Sequence, residues 1–157
     1  MLLTEEFIIL KRRHIKFMSL LIYEQFMKSA LCQADLAYKE DEVPIGAVLV
    51  IDNNIIAENH NRNRQLIDPT AHAEILVLRE AAQKIGEFRL NNAELYVTVE
   101  PCPMCAGAII YSRIKKVIYG CKDAKAGCHT SVLNILNNKK FNHRVETISG
   151  ILEKESL

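Results

Sequence analysis

The sequence lacks the features of a membrane-embedded, secreted or repetitive protein. No apolar run approaches the roughly 20 residues that a spanning helix requires, which excludes a membrane-embedded chain. A secretory signal is also missing, because the basic residues 11–14 follow the apolar residues 7–10 instead of preceding them. No repeat, low-complexity tract or internal linker interrupts the 157 residues, so we expect one globular domain.

Cysteines are few and odd in number. Five cysteines in a chain without a signal favour reduced thiols and a cytoplasmic protein over a disulfide framework. Residues 1–22 show no pattern that assigns them a role, and we treat them as an N-terminal extension with Met18 as an alternative start. Residues 23–157 are expected to form the functional domain.

Acidic residues are nearly missing from one part of the chain. Residues 111–145 contain eight basic side chains and one acidic side chain, whereas the whole protein carries a net charge of only +1. A solvated face is the ordinary explanation, but such clustering can also bind a polyanion such as nucleic acid. The basic residues are Arg113, Lys115, Lys116, Lys122, Lys125, Lys139, Lys140 and Arg144.

Apolar periodicity predicts helices alternating with strands. The order predicts an α/β fold in which a mixed sheet of about five strands is covered by helices on both faces. The turn residues 52–54 predict a β-hairpin near the start of this sheet. We expect helices over 23–38, 72–85, 103–110 and 132–136, and strands over 47–51, 55–58, 93–99, 116–120 and 145–148.

Two short motifs contain the side chains of a metal site. Cys102 and Cys105 lie three residues apart in the first turn of a predicted helix, so both sulfurs face one side and can share a metal. His72 begins another predicted helix and adds a third ligand, as in catalytic zinc sites that leave a fourth position to water. Glu74 points to a different side of that helix, where it would meet the water and shuttle protons.

The two cysteines alone would leave the function open. A C-x-x-C motif is equally compatible with a redox pair or half of a structural zinc site. The pattern H-x-E followed by P-C-x-x-C, however, is the signature of zinc nucleobase deaminases. His72, Glu74, Cys102 and Cys105 fit both parts of that signature.

Longer segments resemble the bacterial tRNA-specific adenosine deaminases. The resemblance covers approximately residues 23–152 and is most specific at DPTAHAEI, residues 68–75, and at TVEPCPMCAGA, residues 98–108. The further matches are residues 42–48, Asn61-Arg62, Asp123-Ala124-Lys125 with Gly127, and residues 142–145.

The resemblance implies a fold, a reaction and roles for particular residues. It implies a cytidine-deaminase-like three-layer α/β/α sandwich, usually a homodimer, that converts adenosine to inosine at the wobble position of an arginine tRNA anticodon. His72, Cys102 and Cys105 would hold one Zn²⁺, and Glu74 would be the general acid and base. The expected substrate contacts are Asn61 with the extruded base, the backbone amide of Ala73, and Asp123 and Lys125 with the anticodon stem-loop.

Two alternative functions are compatible with these residues. The same fold could deaminate a free nucleobase or nucleotide such as cytosine, deoxycytidylate or guanine. Cys121 or Cys128 could instead close a structural zinc site in a noncatalytic RNA-binding protein.

The sequence departs from the family pattern in two places. At the C-terminus relatives usually continue with a further helix, and residues 152–157 suggest a shortened form of it. Cys121 and Cys128 lie where the resemblance does not require cysteine, and we expect both to be ordinary reduced residues.

Overall fold

The computed structural model describes the backbone of residues 5–157 and the side chains from residue 8 onward. Helices and strands alternate as the sequence predicts, with a short helix α2 that the sequence did not indicate. The elements are α1 (Glu5–Lys39), β1 (Gly46–Ile51), β2 (Asn54–His60), α2 (Asn63–Leu66), α3 (Ala73–Ile85), β3 (Glu94–Val99), α4 (Pro103–Tyr111), β4 (Lys116–Cys121) and β5 (Glu146–Ser149).

The five strands form one mixed sheet in the order β2-β1-β3-β4-β5. Strand β1 is antiparallel to β2 and β3, whereas β3, β4 and β5 are mutually parallel. Asp52 and Asn53 make the turn of the β1–β2 hairpin with φ angles of 49° and 61°. Aspartate and asparagine tolerate this left-handed conformation, which matches the twist of a hairpin. The predicted mixed sheet and the predicted hairpin are confirmed.

Helices cover both faces of the sheet because alternate strand residues point to opposite sides. On one face, Phe26 and Met27 of α1 pack against Val48 and Tyr96. On the other face, α3 and α4 pack against a larger apolar cluster that includes Leu49, Leu95, Val97, Val117 and Tyr119. This arrangement is the predicted three-layer α/β/α sandwich.

Helix α1 is longer than the sequence predicted. It starts at Glu5 instead of residue 23 and continues without interruption to Lys39. Most side chains over residues 8–21 are exposed, including Ile15 and Phe17, so this part has no buried face to impose a periodic apolar pattern. Residues 1–4 of the predicted N-terminal extension lie outside the described residues. Within residues 5–157, α1 included, no helix has an apolar stretch of membrane-spanning length.

The predicted helix over residues 132–136 is wrong. The amides of Val132 and Leu133 both donate to the carbonyl of Gly127, and the amide of Ile135 donates to the carbonyl of Cys128. These bonds tie the segment to an earlier turn instead of forming the i to i−4 pattern of an α-helix. Leu136 is fully buried and anchors this irregular segment in the core.

Several elements begin or end at one end of the sheet, where the C-termini of β3 and β4 lie. Strands β3 and β4 are parallel, so the connection to α4 and residues 122–131 both leave the sheet at this end. Gly46 pairs with His60, which brings the C-terminal end of β2 and the following Asn61 to the same end. A Cβ atom on Gly46 would lie 2.1 Å from the carbonyl oxygen of Ala30, so glycine here allows α1 to contact the sheet closely. A crevice outside the carboxyl ends of strands is a common ligand site in α/β folds.

Candidate metal centre

The three predicted metal ligands meet at the beginnings of two helices. His72 is the N-cap residue of α3, and Cys102 is the N-cap residue of α4, whose first turn contains Cys105. Pro103 begins α4, where its fixed φ angle suits the helix and no intrahelical donor is needed. Both helices start at the same end of the sheet. This brings His72 into contact with Cys102 and Cys105, which follow it by 30 and 33 positions in the sequence.

The spacing of the ligand atoms fits a tetrahedral metal ion. His72 Nδ1 lies 3.7 Å from the Sγ atom of Cys102 and 3.5 Å from that of Cys105. A zinc ion with Zn–N of about 2.0–2.1 Å and Zn–S of about 2.3 Å would hold nitrogen and sulfur about 3.6 Å apart. The chemistry of the donors and their separation therefore both suit zinc.

The cluster supplies three ligand atoms, so among the described residues no His, Cys, Asp or Glu takes the fourth position of a tetrahedral ion. Its members His72, Cys102 and Cys105 have ligand atoms within 4.8 Å of one another, and among the described residues neither Cys121 nor Cys128 joins them. Cys128 instead donates to the carbonyl of Ala126, and Cys121 donates to the carbonyl of Ser156. His72 and Cys102 are partly exposed, so the cluster is accessible from that side.

Hydrogen bonds within the cluster change the acidity of all three groups. The pKa of the Cys102 thiol is lowered to about 4, first by its hydrogen bond with Cys105, against the opposing effect of burial, and further by its hydrogen bond with His72. The hydrogen bond with Cys102 in turn raises the pKa of Cys105 and of His72. Cys102 therefore ionises first, and a cation among these donors would compete with the protons on the other two.

Glu74 lies beside this cluster with a buried carboxyl group. Only 4% of the residue is exposed, and burial raises its pKa above the ordinary value. The nearby Cys102 raises this pKa further, whereas His72 lowers it. A raised pKa moves a carboxyl group toward the range in which a general acid and base works best.

Asn61 is tied to the start of α3. Its side-chain Oδ1 accepts a hydrogen bond of 2.8 Å from the backbone amide of Ala73, and both residues are buried. The amide of Arg62 also donates to the carbonyl of Ala71 at 3.0 Å. These bonds fix Asn61 next to His72 and engage the Ala73 amide within the protein. Contacts of Asn61 and Ala73 with a substrate stay predictions.

Asp123 and Lys125 lie on the segment of residues 122–131 that follows β4. Asp123 is half-buried, and its Oδ1 accepts hydrogen bonds from the amides of Lys125 at 2.9 Å and Ala126 at 3.1 Å. The Lys125 side chain is exposed. The amide of Cys128 donates to the carbonyl of Pro101 at 2.9 Å, so this segment runs beside the Cys102 ligand.

Sequence reasoning missed Glu100, which organises this segment. Burial alone would raise its pKa, but hydrogen bonds from the Ser131 hydroxyl and from the amides of Thr130, His129 and Asp123 lower the pKa to about 2. Its position directly before Pro101 was visible in the sequence, but its partners lie 23 to 31 residues away. No local pattern signals such contacts.

The basic residues of segment 111–145 are not all available to bind a polyanion. Lys116 is engaged by Glu94 at 3.2 Å, Glu146 at 3.7 Å and the Tyr23 hydroxyl at 3.1 Å, so it is not available to a polyanion. The remaining exposed basic residues include Lys122, Lys125, Lys139, Lys140 and Arg144.

Comparisons with known proteins agree with this site. The sequence model of the MafB19-like deaminases matches residues 23–155. The tRNA-specific adenosine deaminase of Bacillus subtilis is 50% identical over 132 residues, which are 84% of this chain and 82% of that protein. The tRNA-specific adenosine deaminase of Agrobacterium fabrum is 48% identical over 131 residues, 83% of this chain and 86% of that protein.

Solved structures show the same relationship. One from a study of A-to-I editing by tRNA:A34 deaminases has a TM-score of 0.81 at 48% identity and covers 84% of this chain and 96% of that chain. The guanine deaminase of Bacillus subtilis has a TM-score of 0.62 at 42% identity over 63% of this chain and 64% of that chain. The identities, the coverage and the shared fold show that this chain belongs to the family of bacterial tRNA-specific adenosine deaminases.

Proposed function

We propose that this protein hydrolyses the wobble adenosine of an arginine tRNA anticodon to inosine, using zinc and Glu74. The observation that carries the proposal is the cluster of His72, Cys102 and Cys105 beside the buried Glu74, in a chain of this family. The names of its relatives support tRNA as the substrate, and the description of the solved structure supports the wobble position. The choice of an arginine tRNA rests on the family resemblance.

Zinc and Glu74 have separate tasks in this reaction. When bound by His72, Cys102 and Cys105, zinc would supply Lewis-acid chemistry that makes a water molecule more acidic. Glu74 accepts a proton from the water whose oxygen adds to carbon 6 of adenine. Glu74 then passes this proton to the ring nitrogen, takes the second proton from the hydroxyl group added at carbon 6, and delivers it to the departing amino group. Adenosine and water thus become inosine and ammonia.

The environment of the site suits a base presented by RNA. A target base must be unstacked before carbon 6 can reach the cluster, and an anticodon loop presents such bases more easily than a duplex does. Exposed Lys122 and Lys125 lie on the segment beside Cys102, where their charge can attract phosphates.

We also infer a homodimer from the family resemblance. All five cysteines are free thiols, which supports the cytoplasm as the compartment.

We expect Cys128→Ala to leave zinc content unchanged and activity within about threefold of the native protein. Cys128 is buried, but its thiol contacts the carbonyl of Ala126 instead of joining the ligand cluster. Metal analysis and inosine formation should be measured together, with Cys102→Ala as the comparison. Loss of zinc in Cys128→Ala would favour the closed structural site over a catalytic one.

Two substitutions of Asn61 should separate its structural contact from its substrate contact. Asn61→Ala leaves the buried Ala73 amide unpaired, so we expect unfolding free energy to fall by about 1–3 kcal/mol and KM to rise. Asn61→Asp keeps an oxygen for that amide but cannot donate to a base, so stability should be better preserved while KM rises about tenfold. A native KM in Asn61→Asp would contradict the predicted contact with the base.

The function is tested on an anticodon stem-loop of arginine tRNA that carries adenosine at the wobble position. The zinc-loaded protein should form inosine in this RNA, and the same stem-loop with the target adenosine moved by one nucleotide is the matched control. Free adenosine, cytosine, deoxycytidylate and guanine should be assayed in parallel, since the similarity to a guanine deaminase supports a small substrate as the second candidate. Turnover of a small substrate without turnover of RNA would replace our proposal by that candidate.

A further inference from the structure

Glu100 has a buried carboxylate that the proposed reaction does not use. Only 2% of the residue is exposed. Its Oε1 accepts hydrogen bonds from the amides of His129 and Thr130, both at 2.8 Å, and of Ser131 at 3.2 Å. Its Oε2 accepts from the amide of Asp123 at 3.2 Å and from the Ser131 hydroxyl. One carboxylate therefore binds both ends of the segment 122–131.

The segment is fitted closely around this carboxylate at Gly127. A Cβ atom on Gly127 would lie 2.4 Å from Oε2 of Glu100 and 2.6 Å from the carbonyl oxygen of Asp123. The Gly127 amide donates to that same carbonyl at 2.9 Å. A side chain at this position would push the segment away from Glu100.

The contacts of Glu100 connect the segment to the metal centre. Glu100 is two residues before Cys102, and its own amide donates to the carbonyl of Cys121 at the end of β4. Asp123 is thus held by Glu100 through its amide, and it holds the amide of Lys125 through its carboxylate. The placement of Asp123 and Lys125 beside the metal centre therefore depends on the Glu100 carboxylate.

We propose that Glu100 is a positioning residue that fixes residues 122–131 beside the metal centre and so controls the binding of substrate RNA. The substrate named in this inference rests on the proposed function, whereas the contacts of Glu100 do not. Hydrogen bonds from backbone amides to a carboxylate are roughly twice as strong as bonds between neutral groups. A neutral amide in the same place would turn an N–H group toward donors and lose several of these bonds.

Glu100→Gln is the direct test, because glutamine keeps the shape of the side chain and removes its charge. We expect the amides of His129, Thr130 and Ser131 to exchange hydrogen at least about tenfold faster. The KM for the anticodon stem-loop should rise at least about tenfold, with kcat within about threefold and zinc content unchanged. Unchanged exchange, or a fall in kcat with native KM, would overturn the proposal.

Glu94→Gln is the matched control for loss of a carboxylate elsewhere. Glu94 binds Lys116 and the Tyr96 hydroxyl and does not contact residues 122–131. This variant should lose stability without faster exchange in that segment and without a change in KM. A rise in KM equal to that of Glu100→Gln would show a general effect of destabilisation and contradict a positioning role.

Two further variants disturb the contact without changing Glu100. Ser131→Ala removes one hydrogen bond and should raise KM and the exchange rate slightly, whereas Gly127→Ala displaces the segment and should raise both more strongly. These variants decide the question if Glu100→Gln does not fold, and native exchange and KM in both would overturn the proposal. Hydrogen exchange needs no substrate, so it still tests the role of Glu100 if the native protein does not deaminate RNA.

Discussion

Glu74→Gln should abolish deamination while leaving zinc bound. General acid and base catalysis typically contributes about 10²–10⁴ to a rate, and we expect kcat to fall by at least that factor. Glutamine preserves the volume of a side chain that is 4% exposed, but it cannot accept a proton from water or return one to the base. The measurements are inosine formation on the anticodon stem-loop and the zinc content of the same preparation.

The neighbouring Glu80→Gln is a suitable control for this variant. Glu80 lies on the same helix α3, where it pairs with Lys84 at 2.7 Å on the outer surface. Its substitution should change neither zinc content nor kcat, because Glu80 is partly exposed and does not belong to the ligand cluster. Substantial deamination by Glu74→Gln would show that another group moves the protons.

His72→Ala and Cys102→Ala should each lose zinc and activity together. Each removes one of three ligands whose atoms lie within 4.8 Å of one another, and no other described His, Cys, Asp or Glu belongs to that cluster. The native protein should contain about one zinc per chain, and both variants close to none. The measurements are metal analysis and inosine formation.

Loss of zinc should also lower thermal stability. A ligand present at one hundred times its Kd stabilises the folded state by about 2.7 kcal/mol. For a protein of this size that corresponds to a fall in Tm of roughly 5–10 °C, which Glu74→Gln should not show. A chelator should lower the Tm of the native protein by a similar amount, and Cys32→Ala, at an exposed cysteine, is the control. Full zinc occupancy in a protein that carries both His72→Ala and Cys102→Ala would rule out these two residues as ligands.

The sheet was predictable because its signals are local. Apolar and branched residues over β1, β3 and β4 alternate or run together as buried strands require, and Asp52 and Asn53 form the turn that their sequence favours. The two ligand motifs were also local, since Cys102 and Cys105 need only one helical turn to share a side. Their convergence with His72 was inferred from the family resemblance and from the helix starts.

The errors concern segments whose conformation depends on distant residues. The helix predicted over residues 132–136 follows its local apolar pattern, but the amides there bond to Gly127 and Cys128. The start of α1 was placed too late because residues 8–18 of this helix are exposed and show no buried stripe. Lys116 was counted among the basic residues that could bind a polyanion, but Glu94, brought alongside it by strand pairing, neutralises it.

The sequence alone determined the family, the positions of the strands and the candidate ligands, because motifs and periodicity express contacts within a few residues of one another. Only the tertiary structure decided which atom of His72 faces the two sulfurs, that Cys121 and Cys128 lie outside the described ligand cluster, and that Asn61 engages the Ala73 amide. It also decided the contacts of Glu100, whose five hydrogen bonds come from residues 23 to 31 positions away. Such contacts depend on how β3 and β4 pair, and that pairing leaves no mark at the residue itself.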